Sequence, residues 1–123
     1  MAYETKLIIP DLLGKGKALR QHLLLFSLGS SGHRSAIKEL TVGLALDENS
    51  HRFYSLALSG EELPLMKIEL TDVTKTTLKT AMEYEFIGSI VTSYQIGGSH
   101  SGADKPTIHI TFNYRQVKTT MFD

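Results

Sequence analysis

The sequence predicts a mainly β fold, with antiparallel strands wrapped around one core as a β-barrel or compact sandwich of two sheets, and one short side helix. Three observations carry this reading. Apolar and polar residues alternate with period two in several runs, clusters of Gly, Ser, Thr and Pro separate those runs, and a single segment breaks the period with helical spacing.

The elements follow in chain order. Short strands are expected at Lys6–Ile9 and Leu23–Leu28, the second a mostly apolar run that reads as buried. Leu40, Val42, Leu44 and Leu46 then share one strand face, with Glu39 and Thr41 on the other. From Asp47 to Gly60 the period changes: Phe53, Leu56, Ala57 and Gly60 fall at i, i+3, i+4 and i+7. Asp47 or Asn49 can cap this helix, and Gly60 suits the left-handed position past its end. Its expected role is to pack over an open end of the β structure.

Alternation resumes with Met66, Ile68 and Leu70 against Lys67, Glu69 and Thr71. Met82, Tyr84, Phe86, Ile90 and Tyr94 are expected on one face of a long strand, opposite Glu83, Glu85, Ser89 and Ser93. Gly88 interrupts that strand and marks a bulge or bend. Ile108, Ile110, Phe112 and Tyr114 complete a set of six strands, each with one apolar face. Thr74–Thr77 reads as a hairpin connection and Gly97–Pro106 as a longer loop.

With 123 residues the chain is expected to form a single domain, 1–123. Thirteen basic and thirteen acidic residues cancel, so no net field points to nucleic acid or to an anionic membrane. There is no cysteine, which favours folding in the cytoplasm. Pro10 and Asp11 break the first apolar run, and Leu23–Leu28 is shorter than the roughly 7–15 residues of a signal core. No signal peptide and no membrane insertion are expected.

Candidate chemistry is thin. His22, His33, His51, His100 and His109 show no close metal-ligand spacing, and no cysteine can complete a zinc site. Gly14-Lys15-Gly16-Lys17 lacks the spacing of a phosphate loop, and Ala18 follows Lys17 where that loop needs Ser or Thr. Ser99, His100, Ser101 and Asp104 offer triad residue types, but sequence neighbours in one loop rarely converge with oxyanion donors. Lys75 and Lys79, in a threonine-rich turn, read as solvated. Neither catalysis, a cofactor nor a metal is expected.

The segment Tyr84–Tyr114, YEFIGSIVTSYQIGGSHSGADKPTIHITFNY, resembles the C-terminal half of the haemolysin-coregulated family of type VI secretion tube proteins. The shared features are a long strand ending in Ser93-Tyr94, a Gly/Ser loop closing on Asp104-Lys105-Pro106, and a strand with Phe112 and Tyr114. Asp47 and Ser50 match the family's Asp-x-x-Ser helix start, Gly60 its helix end, and Met66–Leu70 the strand that follows. Ile8, Ile9, Asp11, Leu12 and Gly14 fit the opening strand more loosely. The loop after the second strand is shortened here to Gly29–Ala36, with His33 and Arg34 as its long side chains. With nine residues after Tyr114, no fused toxin domain is expected.

This resemblance implies a closed ring, commonly a hexamer, whose rings stack into a hollow tube. It implies expulsion by a contractile sheath, partnership with sheath and spike proteins, and effector cargo in the lumen. Secretion would then need no signal peptide. A small-ligand-binding β-barrel and a phage-type tail tube subunit share the same strand pattern. The barrel needs an apolar cavity and would stay monomeric or dimeric.

Overall fold

A computed structural model of the chain describes residues 3–29, 38–73, 79–97 and 106–122. These residues form eight strands and one helix: β1 (Tyr3–Gly14), β2 (Lys17–His22), β3 (Leu25–Gly29), β4 (Glu39–Ala45), α1 (Ser50–Ser59), β5 (Leu63–Asp72), β6 (Lys79–Gly97), β7 (Thr107–Asn113) and β8 (Gln116–Met121). All pairings are antiparallel. The strands make one sheet ordered β2-β1-β5-β6-β7-β4-β3, with β8 also on β6. Antiparallel β structure around one core with a single short helix is thus as the alternation predicts. The sheet is not closed into a barrel, because its end strands β2 and β3 do not pair with each other.

The sheet has two parts that share β6. Residues 82–87 of β6 lie between β5 and β8, and residues 90–97 pair with β7. Because β7 and β8 follow each other along β6, these strands form one long ribbon, joined at its middle by the Arg115 N–H donating to the Ile87 carbonyl at 3.0 Å. A second crossing occurs between β2 and β3. There Leu23 N–H donates to Thr5 O and Leu24 N–H to Gly43 O, both at 2.8 Å, carrying the chain from one part of the sheet to the other.

Two strands were not expected. β2 contributes a single fully buried residue, Leu19, so its alternation is invisible in the sequence. The Gly14-Lys15-Gly16-Lys17 stretch is the turn that makes it, with Gly14 paired to Lys17 and both glycines at positive φ. Asp11, itself at φ 61°, holds that turn by accepting the Gly16 N–H at 2.7 Å. β8 lies in what reads as a tail. The strand expected at Leu23–Leu28 spans Leu25–Gly29, and it is not wholly buried: Leu24 is 62% exposed and Leu25 46%.

Gly88 bends β6, as expected, but it also reverses which residues face inward. Ser89 is fully buried and Val91 nearly so, whereas Ile90 is exposed, the opposite of strict alternation. The cause is the positive φ of Gly88, 69°, which rotates the chain by one step of the pleat. A register shift between Val91 and Ser93 restores the original parity, so Tyr94 again lies beside the core opposite Ile110.

The helix starts at Ser50, three residues later than the spacing suggests, with Asn49 at the cap position and no side-chain cap bond. Asp47 and Ser50 bond reciprocally ahead of it. The Asp47 N–H donates to Ser50 Oγ at 2.9 Å and the Ser50 hydroxyl donates back to Asp47 Oδ1 at 3.5 Å, while Oδ1 also accepts the Asn49 N–H at 2.9 Å. Gly60, at φ 69°, ends the helix by donating its N–H to the Leu56 carbonyl at 3.0 Å. Phe53 and Leu56 insert into the core with Leu7, Met66, Phe86, Phe112 and their neighbours. Tyr54, at the helix surface, meets Tyr94 of β6 edge to face at 5.3 Å.

Phe53→Ala and Leu56→Ala should each cost about 2–5 kcal/mol of unfolding free energy in denaturant melts, because each leaves a cavity under the helix. Leu58→Ala, at a site 72% exposed, should stay within about 0.5 kcal/mol of the parent protein.

Candidate functional site

The three described histidines, His22, His51 and His109, stand on β2, α1 and β7. The described residues hold no group of three or more His, Asp or Glu side chains placed to bind a metal ion. Residues 30–37, 74–78 and 98–105 lie outside the described residues, and with them His33, Arg34, Ser99, His100, Ser101 and Asp104. Of the other positions singled out in the sequence, Pro106 accepts the Leu46 N–H at 2.9 Å just before β7, where its missing N–H costs no pairing. Ser93 lies opposite Thr111, and Tyr94 opposite Ile110. Asp47, Ser50 and Gly60 form the two ends of the helix.

What the structure brings forward instead is surface. Among the described residues three strands, β2, β3 and β8, are each paired on one side only. An unpaired edge offers a row of N–H and C=O groups to another chain unless charge or shape guards it. Lys17, Arg20 and His22 guard β2. β8 carries one lysine, Lys118, among Val117, Thr119, Thr120 and Met121. Val117 pairs with Phe86 and Met121 with Met82, so both lie on the face of the sheet that covers the core. Yet Val117 is 41% exposed, Met121 75% and the following Phe122 46%. The apolar face of the sheet therefore runs on past the edge of its own core. The alternation of Val117, Thr119 and Met121 could have revealed this strand, but its polar composition reads as a tail.

The outer faces differ from this edge. On the β1-β5-β6-β8 part, Lys67, opposite Ile8 in the register, reaches Glu83 at 3.2 Å and Glu85 at 4.0 Å. On the β3-β4-β7 part, Thr41 and Thr111 hydroxyls meet at 3.3 Å. Leu25 there lies across Gly43, where a Cβ would stand 2.8 Å from its Cγ.

The corner at Gly88 is tied from outside. Arg115 forks onto Glu62, Nε to Oε1 at 3.1 Å and Nη2 to Oε2 at 3.3 Å. Its carbonyl accepts from Lys38 Nζ at 2.7 Å. Beneath it Tyr114 packs edge to face on Phe86 at 5.0 Å, and burial pushes its phenol pKa up, keeping it neutral. No described helix is long and apolar enough to cross a membrane.

Comparison with known proteins gives consistent answers. A family profile described as "Type VI secretion system effector, Hcp" matches residues 25–121. No curated protein sequence matches the chain. Among solved structures, Hcp1 from Salmonella typhimurium is similar at TM-score 0.81 and 19% identity, over 100% of this chain and 88% of that one. A structure described as a type six secretion system protein is similar at TM-score 0.79 and 23% identity, over 96% and 83%. The secreted protein Hcp3 from Pseudomonas aeruginosa is similar at TM-score 0.78 and 14% identity, over 98% and 91%. At these identities the structural likeness is one of fold.

Gly88→Ala should lower stability by about 1–2 kcal/mol, because an L side chain is strained in the left-handed region. The added Cβ would also stand 2.7 Å from Glu62 Oε1 and 2.9 Å from Arg115 Cδ. Urea melts of the variant against the parent protein check this.

Proposed function

Because the chain belongs to the Hcp family of type VI secretion system proteins, we propose that it is a tube subunit whose copies close head to tail into a ring, commonly a hexamer. The rings stack into a hollow tube, which a contractile sheath expels with effector cargo in its lumen. The role is structural and not enzymatic. Its partners are further copies of itself, effector cargo, and the sheath and spike proteins of the apparatus. Secretion through that apparatus needs no signal peptide.

The observation that supports ring closure is the β8 edge. A head-to-tail contact joins two different surfaces of the protomer, and it closes only if each copy carries both. β8 offers unpaired backbone groups beside Val117, Met121 and Phe122, an apolar rim of the kind that a neighbour covers. A net charge of zero keeps repulsion between copies low. The interior supports the tube reading over a ligand-binding barrel. Phe53, Phe86, Phe112, Met66 and Ile110 are fully buried where such a barrel would hold its cavity.

Native mass spectrometry at micromolar concentration should find a closed ring several times the 13.6 kDa protomer. Monomer alone would overturn the proposal. Val117→Lys combined with Met121→Glu should leave the circular dichroism spectrum and thermal midpoint nearly unchanged while dispersing the ring.

Stacking is assigned to the Gly29–Ala36 loop on sequence grounds. Arg34 is its anchor, since a guanidinium takes a carboxylate of the next ring in a two-bonded fork. Each such exposed pair contributes only about 0–1 kcal/mol, but a ring repeats it once per subunit. Arg34→Glu should keep the ring and abolish end-to-end assembly in electron microscopy and sedimentation. A variant that stacks as the parent does would move the joint elsewhere.

A further inference from the structure

An open cleft of about 440 Å³ lies between α1 and the end of β1. Its helical wall presents Arg52, Ser55, Leu56 and Ser59, at i, i+3, i+4 and i+7, which places them on one face. Leu12 forms the opposite wall, and Glu61 stands beyond the helix end. Phe53 and Leu56 anchor the helix in the core, so the position of the Arg52 side chain follows from packing that does not involve its charge.

The guanidinium is half-buried and poorly satisfied. Its one hydrogen bond runs from Nη1 to the Leu12 carbonyl at 3.4 Å, which is long for such a contact. Nε is buried without a partner. Among the described residues no carboxylate forms an ion pair with Arg52, although Glu61 lines the same cleft. Holding a cation partly out of water with no anion in contact with it costs free energy, and a carboxylate supplied from outside offsets that cost.

We propose that this cleft is a binding site for a peptide carboxylate. The free Nη edge of Arg52 takes the carboxylate oxygens, with the Ser55 hydroxyl beside it as a further donor. His51 also lines the cleft, its ring held back by Nδ1–H donating to the Glu48 carbonyl at 2.9 Å. Leu12 and Leu56 give apolar wall to the adjoining side chain. Glu61 accepts backbone N–H groups and repels a second negative charge, which favours a peptide with one carboxylate over a phosphate or a dicarboxylate. The cleft belongs to one protomer, so this inference goes beyond the ring and stands or falls separately from it.

Isothermal titration of the full-length protein with two short peptides tests it: acetyl-Gly-Leu as the free acid and as the C-terminal amide. Acetyl-Gly-Glu-amide, which carries its carboxylate on a side chain, is the third arm. The free acid should bind at millimolar concentration or below, and the Leu amide should not. Binding of the Glu peptide at equal strength also supports the site and assigns the carboxylate to an acidic side chain. Arg52→Gln should weaken the free acid by at least about tenfold, the loss expected for a two-bonded charged contact. Arg52→Met should raise the thermal midpoint or leave it unchanged, since it removes an uncompensated charge. Equal binding of acid and amide, unchanged binding by Arg52→Gln, or a clear drop in the midpoint of Arg52→Met would each overturn the proposal.

Discussion

The left-handed turn at Gly88 is the constraint on which the rest of the structure depends. A strand of 19 residues with unbroken pleat would present one face throughout and could serve only one part of a sheet. The positive φ bends β6 and moves its inward set by one residue, so Phe86 before the bend and Val91 after it both reach the same core. The partner ribbon must turn at the same level, and it does so at Tyr114-Arg115, where the Arg115 N–H still reaches Ile87. Phe86 and Tyr114 then meet across the corner, and the Glu62–Arg115 fork lies where a Cβ on residue 88 would be. An exposed pair of this kind contributes little to stability; its geometry is a consequence of the glycine rather than a substitute for it.

Much of this was legible in the sequence, and the failures share a physical cause. Runs such as Leu40-Val42-Leu44 and Ile108-Ile110-Phe112 show their inward face because both flanking strands and the core above them are present. The edge strands β2 and β8 lack one neighbour, and few of their residues are buried, so nothing in their composition had to be apolar. Gly88 could be recognised as a bend, but a period-two count assumes a continuous pleat and places Ile90 inside. The sign of a dihedral angle is not written in composition. The Arg52 cleft was invisible for another reason. Arg52, Ser55 and Ser59 sit on the polar side of an amphipathic helix, which solvent alone would explain.

The surfaces divide in a way that suits assembly. The outer face of the β1-β5-β6-β8 part is covered by charged side chains that already satisfy one another, as Lys67 does with Glu83. Such a face gains little from a partner and would lose hydration to it. The β8 edge is the reverse: backbone groups without a ladder, beside apolar side chains that the protomer's own core does not reach. With β2 guarded by charge and β8 open, the neutral chain is biased towards contacts between unlike surfaces. That is the geometry from which closed rings arise.

Three buried polar atoms stand without partners among the described residues: Ser89 Oγ, Gln21 Oε1 and Arg52 Nε. The first two follow from the fold. Ser89 is turned inward by the change of parity at Gly88, and its small hydroxyl is tolerated where an apolar residue would be expected. Gln21 lies on β2 just before the crossing to β3 and keeps its amide N–H bonded to the Ala45 carbonyl at 3.3 Å, leaving only its oxygen. Arg52 differs from both. Its orphaned atom belongs to a full positive charge, on a helix whose packing does not need it, at the wall of an open cleft. A neutral side chain of the same length would spare the protomer that desolvation, so the charge is better explained by something the cleft receives than by the fold that surrounds it.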